Sequence, residues 1–305
     1  MTLRELRYLV ALADLRHFGR AAECCHVTQP TLSAQLRKLE AYLGQTLIDR
    51  NARQIELTPV GEQIVDRARR LLAEADDILR LTRQHREPLE GVLNIGIIPT
   101  LAPYFLPELL RRLRERYPKL QLIVQEDFTA NLVAKLKDGL LDAALLALPA
   151  SVADLGYVER PLFDEPFWLV CPPGHAVAQR DSVDADAMAE LKMLLLTDGH
   201  CMKGQALAIC RAGDAGSDEA DFRATSLETL RQLVGAGLGC TLLPSLAVSQ
   251  LPPGQFVVRP LREAASRRIG LVWPSTHRRR DELELMAGLL AEQAPDGTWP
   301  IKAAA

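Results

Sequence analysis

Apolar residues in the first 58 positions recur at the spacing of amphipathic helices. Leucine, valine and alanine return every three or four residues, so that each stripe covers one face of a short helix. The positions are Leu6, Leu9, Val10 and Ala13 in the first segment and Leu32, Leu36 and Leu39 in the last. This pattern predicts a small all-helical head over residues 1–58.

A single long helix is predicted over residues 59–88. Thr58 is the expected N-cap, and Pro59 occupies the first turn, where its missing N–H costs nothing. A heptad stripe on this otherwise charged helix is formed by Ile64, Leu71 and Ile78. Such a stripe is typical of a helix that pairs with a second copy of itself. The alternative is a helix that packs on its own domain.

From residue 89 to about residue 300 the pattern changes to strands that alternate with helices, which predicts an α/β domain with parallel strands. The predicted strands are 92–98, 120–124, 143–148, 168–171, 193–196, 240–243 and 269–273. The predicted helices are 105–117, 131–139, 204–211, 227–235 and 281–292. The order predicts two lobes with a ligand-sized cleft between them. Lobe I covers about 92–162 and 268–292, and lobe II covers about 163–267.

The composition is that of an ordinary globular protein, with 305 residues, 48% hydrophobic and 25% charged. The net charge is −3, but residues 1–58 carry eight Lys and Arg against six Asp and Glu, a balance of +2. The charged N-terminus is unlike a signal peptide, and no apolar run has the length of a membrane span, so we expect a cytoplasmic protein. Its six cysteines are then reduced. Without a C-x-x-C pair, the sequence predicts no metal site and no cofactor.

Residues 21–40 have the layout of a helix-turn-helix. Paired alanines let two helices approach closely, and Thr28 is placed to cap a second helix whose first turn contains Pro30. Short hydrogen-bonding side chains on the outer face, followed by a cation, suit base edges and phosphate. The predicted DNA contacts are Gln29, Pro30, Thr31, Ser33, Gln35 and Arg37, with Arg50 and Arg53 on a wing-like turn that follows.

The head resembles the LysR-type transcriptional regulators. The resemblance lies in Ala21-Ala22, in Val27-Thr28-Gln29-Pro30-Thr31-Leu32-Ser33, in Leu36-Arg37-Lys38-Leu39-Glu40 and in Leu57-Thr58-Pro59-x-Gly61. It implies a winged helix-turn-helix over 1–58 that binds double-stranded DNA, a linker dimerisation helix over 59–88, and a regulatory domain over 89–300 similar to periplasmic binding proteins.

Cys201 lies at the start of a predicted helix, between His200 and Lys203. Backbone N–H groups and positive charge favour a thiolate there, so Cys201 is predicted to be reactive. Cys210 follows nine residues later. Nine helical residues rise about 13.5 Å, whereas a disulfide tolerates Cα separations of about 4.4 to 6.8 Å. Joining the two sulfurs must therefore break the helix, so oxidation would refold this segment.

This segment is similar to the OxyR family of hydrogen-peroxide sensors, as are Ile98-Pro99-Thr100, residues 161–166 and residues 222–230. The resemblance implies Cys201 as the peroxide-reactive thiol and Cys210 as the resolving thiol. It further implies that Thr100 and Thr129 hold peroxide and its water, that His200 orients the site, and that Arg268 stabilises charge. Implied partners are hydrogen peroxide, a homodimer that assembles into a homotetramer, RNA polymerase and a thiol reductant.

Several of these residues have a purely structural role as the alternative. Thr100 and Thr129 have helix caps as their alternative role, and the remaining cysteines, Cys24, Cys25, Cys171 and Cys240, are predicted to be packing residues. At the level of function, the main alternative is a LysR-type regulator controlled by a metabolite bound between the lobes. A thiol-dependent peroxidase is the enzymatic alternative, but a peroxidase would gain nothing from a helix-turn-helix.

Overall fold

The computed structural model describes residues 1–49, 55–81, 88–150, 156–197, 199–210, 224–292 and 294–301. The chain divides into two compact units. The first comprises Met1–Arg86 and Asp138–Leu140, and the second comprises Glu87–Lys137 and Leu141–Ala305. Within the described ranges, none of the helices has the length and apolar character needed to cross a membrane.

The first unit is a helical head with a short β-ribbon. Its elements are α1 (Leu3–Leu15), α2 (Phe18–Cys24), α3 (Gln29–Leu43), β1 (Ile48–Asp49), β2 (Glu56–Leu57) and α4 (Pro59–Leu81). Strands β1 and β2 pair antiparallel. The predicted stripes meet in one core, in which Leu9, Leu32 and Leu39 are fully buried, so the predicted helical head is confirmed. Cys24 is an exception to the predicted packing, because Ala21 and Ala22 take the buried face of α2 and leave Cys24 exposed.

Helix α4 begins as predicted, since the hydroxyl of Thr58 accepts a hydrogen bond from the Gly61 N–H at 3.0 Å. The apolar stripe of α4 is buried near the start of the helix and exposed further along it. Val65 is buried in the core of the head, whereas Leu71 and Ile78 are 48% and 62% exposed. The first turns thus pack on their own unit, as the alternative interpretation expected, while the later heptad positions remain uncovered. Residues 82–87 lie outside the described part of the chain, and residue 88, where the helix is predicted to end, lies in a turn.

The second unit contains all the remaining elements. In chain order they are β3 (Gly91–Ile97), α5 (Ala102–Arg116), β4 (Leu120–Glu126), α6 (Thr129–Lys137), β5 (Ala143–Leu148), β6 (Tyr157–Cys171), a 3-10 helix (Ala176–Gln179), α7 (Ala185–Ala189), α8 (Cys201–Cys210), α9 (Leu227–Gly235), β7 (Thr241–Pro244), α10 (Ser245–Val248), β8 (Val257–Pro260), β9 (Ser266–Pro274), α11 (Arg280–Glu292) and β10 (Trp299–Pro300).

These elements form the two-lobed α/β arrangement that the sequence predicts. In lobe I, β3 pairs in parallel with β4 and β5, and β9 lies antiparallel between β5 and β6. Strand β6 belongs to both lobes, because it pairs with β9 up to Pro166 and with β7 and β8 from Phe167 onward. Each lobe buries its own apolar core. The continuous strand β6 therefore holds the two cores side by side.

Several predicted elements differ from the structure in their bounds or their pairing. Helix α5 starts at Ala102 instead of residue 105, because Pro103 fits into the first turn of a helix. The predicted strand 168–171 is the last part of β6. The predicted strand 193–196 makes only two isolated bridges, from Met193 to Cys240 and from Leu196 to Ala224.

Candidate functional site

Cys201 is the first residue of α8 and lies at the junction of the two lobes. Its half-buried side chain packs against the core of lobe I. Two other residues of the same helix, Met202 and Ala206, are each 2% exposed and belong to the core of lobe II. Helix α8 therefore connects the predicted reactive thiol to both cores.

The intact helix separates Cys201 from Cys210. Helix α8 has 10 residues with these cysteines at its two ends, so their Cα atoms are about 13.5 Å apart by helical rise. That distance is about twice the upper limit of about 6.8 Å for a disulfide. The side chain of Cys210 and residues 211–223 lie outside the described part of the chain. In this conformation the predicted redox pair is held apart.

His200 is buried beside Cys201, with 6% of its surface exposed. Its Nε2 lies 3.0 Å from the carbonyl oxygen of Thr225, which can only accept, so Nε2 carries the proton and donates. The other nitrogen, Nδ1, is then an acceptor, and it has no hydrogen-bond partner among the described groups. The imidazole packs edge-on against Phe128, with ring centroids 4.7 Å apart.

Thr129 follows Phe128 directly and begins α6. Its hydroxyl oxygen is buried and, like Nδ1 of His200, has no hydrogen-bond partner in the described structure, so it does not cap the helix. The side-chain oxygen of Gln205, one turn along α8, is also buried and has no hydrogen-bond partner in the described structure. Leaving such a group unpaired costs about 1–3 kcal/mol, so polar atoms of this kind in native proteins usually face a water molecule or a ligand.

Thr100 belongs to a buried polar network. Arg267 donates from Nη1 to the hydroxyl of Thr100 at 2.6 Å and from Nη2 to its carbonyl oxygen at 3.0 Å. The Nε of Arg267 donates to Glu165 at 2.8 Å, and the Leu246 N–H donates to the other carboxylate oxygen at 3.0 Å. Thr100 is not a helix cap, because α5 has Leu101 at that position. Its hydroxyl oxygen accepts from Arg267, which leaves its own proton available for donation.

Arg268 does not join this network. Its side chain is 49% exposed and forms a bidentate ion pair with Asp164, which raises the pKa of Arg268. Both residues line an open cavity of about 480 Å³ that also contacts Gln205. Arg267 was not predicted, although the sequence contains a signal for it. Side chains alternate along β9, so Arg267 points to the same face as the buried Ile269, and Arg268 points away.

Helix α3 carries the predicted DNA-contacting face. Leu32, Leu36 and Leu39 are buried as predicted. On the opposite side, Gln29, Pro30, Thr31 and Arg37 are exposed and Ser33 and Gln35 are half-buried. Thr28 occupies the N-cap position of α3 as predicted, but its hydroxyl contacts the hydroxyl of Thr31 at 2.8 Å and makes no bond to a backbone N–H. Arg50 and Arg53 fall outside the described residues, between β1 and β2.

Comparison with known proteins agrees with both halves of this organisation. Residues 3–62 match the bacterial regulatory helix-turn-helix of the lysR family, and residues 86–295 match the LysR substrate binding domain. The chain therefore belongs to the LysR family of bacterial regulatory proteins. Within that family it groups with the OxyR proteins. The DNA-binding transcriptional dual regulator OxyR of Escherichia coli K12 is 44% identical over 293 residues, 94% of each chain.

Further relatives extend the similarity. A probable hydrogen peroxide-inducible genes activator of Mycobacterium avium is 42% identical, over 95% of this chain and 94% of that protein. A full-length OxyR cysteine-to-aspartate variant from Pseudomonas aeruginosa has a TM-score of 0.75 at 38% identity and covers 95% of this chain and 98% of its own. A peroxide-bound cysteine-to-serine mutant of Corynebacterium glutamicum OxyR has a TM-score of 0.66 at 40% identity, over 95% and 92%.

Proposed function

We propose that this chain is a hydrogen-peroxide-sensing, DNA-binding transcription regulator and not an enzyme, with Cys201 as its peroxide-reactive thiol and Cys210 as the resolving thiol. The observation that carries the proposal is a pair of unpartnered buried atoms, Nδ1 of His200 and the hydroxyl of Thr129. His200 directly precedes the half-buried Cys201 and packs against Phe128, the residue before Thr129. A small polar molecule that both donates and accepts hydrogen bonds suits such a site. Relatives named as hydrogen peroxide-inducible genes activators support the same conclusion.

In the proposed reaction the thiolate of Cys201 attacks one oxygen of the peroxide. The S–O bond forms as the O–O bond breaks, and hydroxide leaves, so that sulfur is oxidised to a sulfenic acid and peroxide is reduced. The thiol of Cys210 then attacks the sulfenic sulfur, the S–S bond forms and water leaves. A cellular thiol reductant returns two electrons and restores both thiols.

Four polar groups have roles in this proposal. Thr129 and His200 hold the peroxide and its water, and Thr100 donates its remaining proton to the departing oxygen. Arg267 keeps the Thr100 hydroxyl in place through its 2.6 Å hydrogen bond and places positive charge near the developing hydroxide. We assign this charge-stabilising role to Arg267 because Arg268 is exposed and already paired with Asp164.

The conformational signal follows from the position of Cys201. Forming the disulfide requires α8 to unwind, which removes Cys201 from the core of lobe I and disturbs Met202 and Ala206 in the core of lobe II. Because β6 joins the lobes, a change at their junction alters the whole regulatory domain. We propose that this change alters the geometry of a DNA-bound oligomer.

The remaining proposed partners are inferred from the head and from α4. We propose domains at 1–58, 59–88 and 89–300, with α3 in the major groove of operator DNA. The exposed heptad residues Leu71 and Ile78 support pairing of α4 with a second copy, and a tetramer of two dimers would contact RNA polymerase at the promoter. The cytoplasm is the proposed compartment, because its thiol reductants reset the switch.

The test is a DNA footprint of the full chain before and after a stoichiometric dose of peroxide. The proposal predicts that peroxide changes the footprint of the parent chain and leaves that of Cys201→Ser unchanged. Cys171→Ala is the matched control, and its footprint should change as in the parent. An identical response of Cys201→Ser and the parent would refute the redox mechanism while leaving DNA binding intact.

A metabolite-controlled regulator is the second candidate. The observation that favours it is the open cavity of about 480 Å³, whose wall carries Gln205, Arg267 and Arg268 beside the carboxylates of Asp164 and Glu159. Thermal stabilisation by a small carboxylate, together with a Cys201 that peroxide leaves unmodified, would support this candidate over peroxide sensing.

A further inference from the structure

Three side chains with metal-binding atoms meet in lobe II, in a place that the proposed switch does not use. They are Cys171, His175 and Cys240, and one ligand atom from each lies within 4.8 Å of the others. The Nε2 of His175 is 3.8 Å from the sulfur of Cys240. Among the described residues, these three side chains are the ones that lie close enough together to hold a metal ion.

The sheet brings the two cysteines together. Strands β6 and β7 pair antiparallel, with Val170 opposite Thr241. The same register, continued by one residue, places Cys171 opposite Cys240. Directly opposed residues of such a pair have Cα atoms about 4.5 to 5.5 Å apart, so both sulfurs can reach one point. The backbone of Cys240 is fixed on its other side, where it exchanges hydrogen bonds of 2.9 and 2.7 Å with Lys192 and Leu194.

The histidine is also held in place. His175 lies in the turn after β6, and its Nδ1 accepts a hydrogen bond from the Val177 N–H at 3.3 Å. This contact directs the opposite nitrogen, Nε2, toward Cys240. His175 is half-buried, whereas Cys171 and Cys240 are only 0% and 2% exposed. The group is therefore closed on the sulfur side and reached from solvent past the imidazole.

The two thiols do not ionise equally. The hydrogen bond between them, together with burial, raises the pKa of Cys171. The same hydrogen bond lowers the pKa of Cys240, although burial opposes this. Two buried thiolates at this place require a cation that compensates their charge, because an unpaired buried charge is very costly.

We propose that Cys171, His175 and Cys240 form a binding site for a thiophilic divalent metal ion, with Zn²⁺ as the expected ion. Two thiolates and a neutral imidazole carry a charge of −2, which a divalent ion cancels. A tetrahedral zinc ion with bonds of about 2.3 Å to sulfur and about 2.0 Å to nitrogen separates its ligand atoms by about 3.5 to 3.8 Å. The lower value applies to sulfur and nitrogen, so the observed 3.8 Å between Nε2 and the Cys240 sulfur shortens by about 0.3 Å when the ion binds.

Binding has two consequences for the protons of the site. Both thiols must be deprotonated, so the apparent affinity rises with pH. Nε2 must give up its proton to offer a lone pair, which moves the imidazole proton to Nδ1 and ends the 3.3 Å contact with the Val177 N–H. The half-buried imidazole leaves a fourth position on the solvent side, where water completes the tetrahedron.

The experiment uses Co²⁺ as a spectroscopic probe of the reduced full-length chain. Thiolate ligation gives charge-transfer bands, and tetrahedral coordination gives intense d–d bands. We expect both at one Co²⁺ per chain, and loss of both when Zn²⁺ is added. Cys171→Ala/Cys240→Ala should lose the bands, and His175→Asn should weaken Co²⁺ binding about tenfold or more. Cys201→Ser/Cys210→Ser, which removes the proposed peroxide switch, should keep them unchanged.

Three results would overturn the site. The first is a parent chain without these bands, and the second is bands that persist in Cys171→Ala/Cys240→Ala. The third is a Cys171–Cys240 disulfide in the peptide map of protein that was kept reduced. Should the double variant fail to fold, the titrations of the parent and of Cys201→Ser/Cys210→Ser still decide, because the proposal requires identical spectra and stoichiometry from both. The peroxide response plays no part in this experiment.

Discussion

The guanidinium of Arg267 donates to the hydroxyl of Thr100 at 2.6 Å and to its carbonyl oxygen at 3.0 Å, with both residues 2% exposed. One side chain thereby connects the turn after β3 to the start of β9. Glu165 balances the buried charge from β6 at 2.8 Å. The hydrogen bonds that join these three segments also orient the Thr100 hydroxyl for its proposed role in the reaction.

Removing Arg267 should be costly for stability. Arg267→Gln leaves the carboxylate of Glu165 buried without a charged partner, which typically costs about 3–5 kcal/mol. Urea unfolding measures the loss. The control is Arg268→Gln, which breaks a half-exposed ion pair with Asp164 and should cost less than about 1 kcal/mol. Equal losses in the two variants would contradict the assignment of the buried network to Arg267.

Thr129 should behave in the opposite way. Its hydroxyl has no partner in the described structure, so Thr129→Val, which keeps the shape of the side chain and removes an unpaired buried group, should not lower the free energy of unfolding. The rate of Cys201 oxidation should fall about tenfold or more, because a peroxide contact is lost. Stopped-flow kinetics with limiting peroxide measures this rate. A destabilised variant that reacts at the parental rate would show a structural role instead.

Arg37 provides a test of DNA binding through the head. It is exposed at the end of the predicted contact face of α3 and lies one helical turn beyond Ser33. If it binds phosphate, Arg37→Ala should weaken binding to all sequences and reduce the slope of log K against log salt by about 1. Titrations at several salt concentrations measure the slope. Arg114→Ala, an exposed arginine of α5, removes the same charge and should leave the slope unchanged.

Acid should weaken the regulatory domain through Asp142. Burial opposes ionisation of this carboxyl, but hydrogen bonds from His277 at 3.1 Å and from the Asn94 N–H at 2.7 Å lower its pKa overall. A pKa that is lower in the folded state stabilises the fold above the unfolded value, near 3.9, and this stabilisation is lost as pH falls through the folded value. Thermal unfolding between pH 3 and pH 7 should therefore show a shallower acid decline for Asp142→Asn. Parallel profiles would contradict this coupling.

Periodicity was sufficient to predict most of the fold. Leu9, Leu32 and Leu39 mark their buried helix faces by spacing alone, because helical geometry translates spacing into direction. Strand β6 was missed as a continuous element, since Pro161 and Pro166 interrupt its pattern while its pairing with β9 and β7 is set by tertiary contacts. The isolated bridges at Met193 and Leu196 show the reverse case, in which a strand-like run lacks a partner strand.

The site was predictable only where its residues are neighbours in the sequence. His200 and Cys201 are adjacent in the sequence, and the local sequence pattern is sufficient to place them at the start of α8. Arg267 and Thr100 are far apart in the chain, so their contact depends on the register of β9. The same limit concealed Cys171 and Cys240. Each was predicted as a packing residue, and each is indeed buried, but only the register of β6 and β7 brings both against His175.

The central claim is that peroxide joins Cys201 to Cys210 by unfolding α8. Hydrogen exchange combined with peptide mapping, on the full chain after one equivalent of peroxide, measures both events together. The account predicts one intramolecular Cys201–Cys210 disulfide and loss of amide protection across α8, with neither change in Cys201→Ser. Protection that persists in α8 after Cys201 has been oxidised, or oxidation of Cys201 that never involves Cys210, would contradict it.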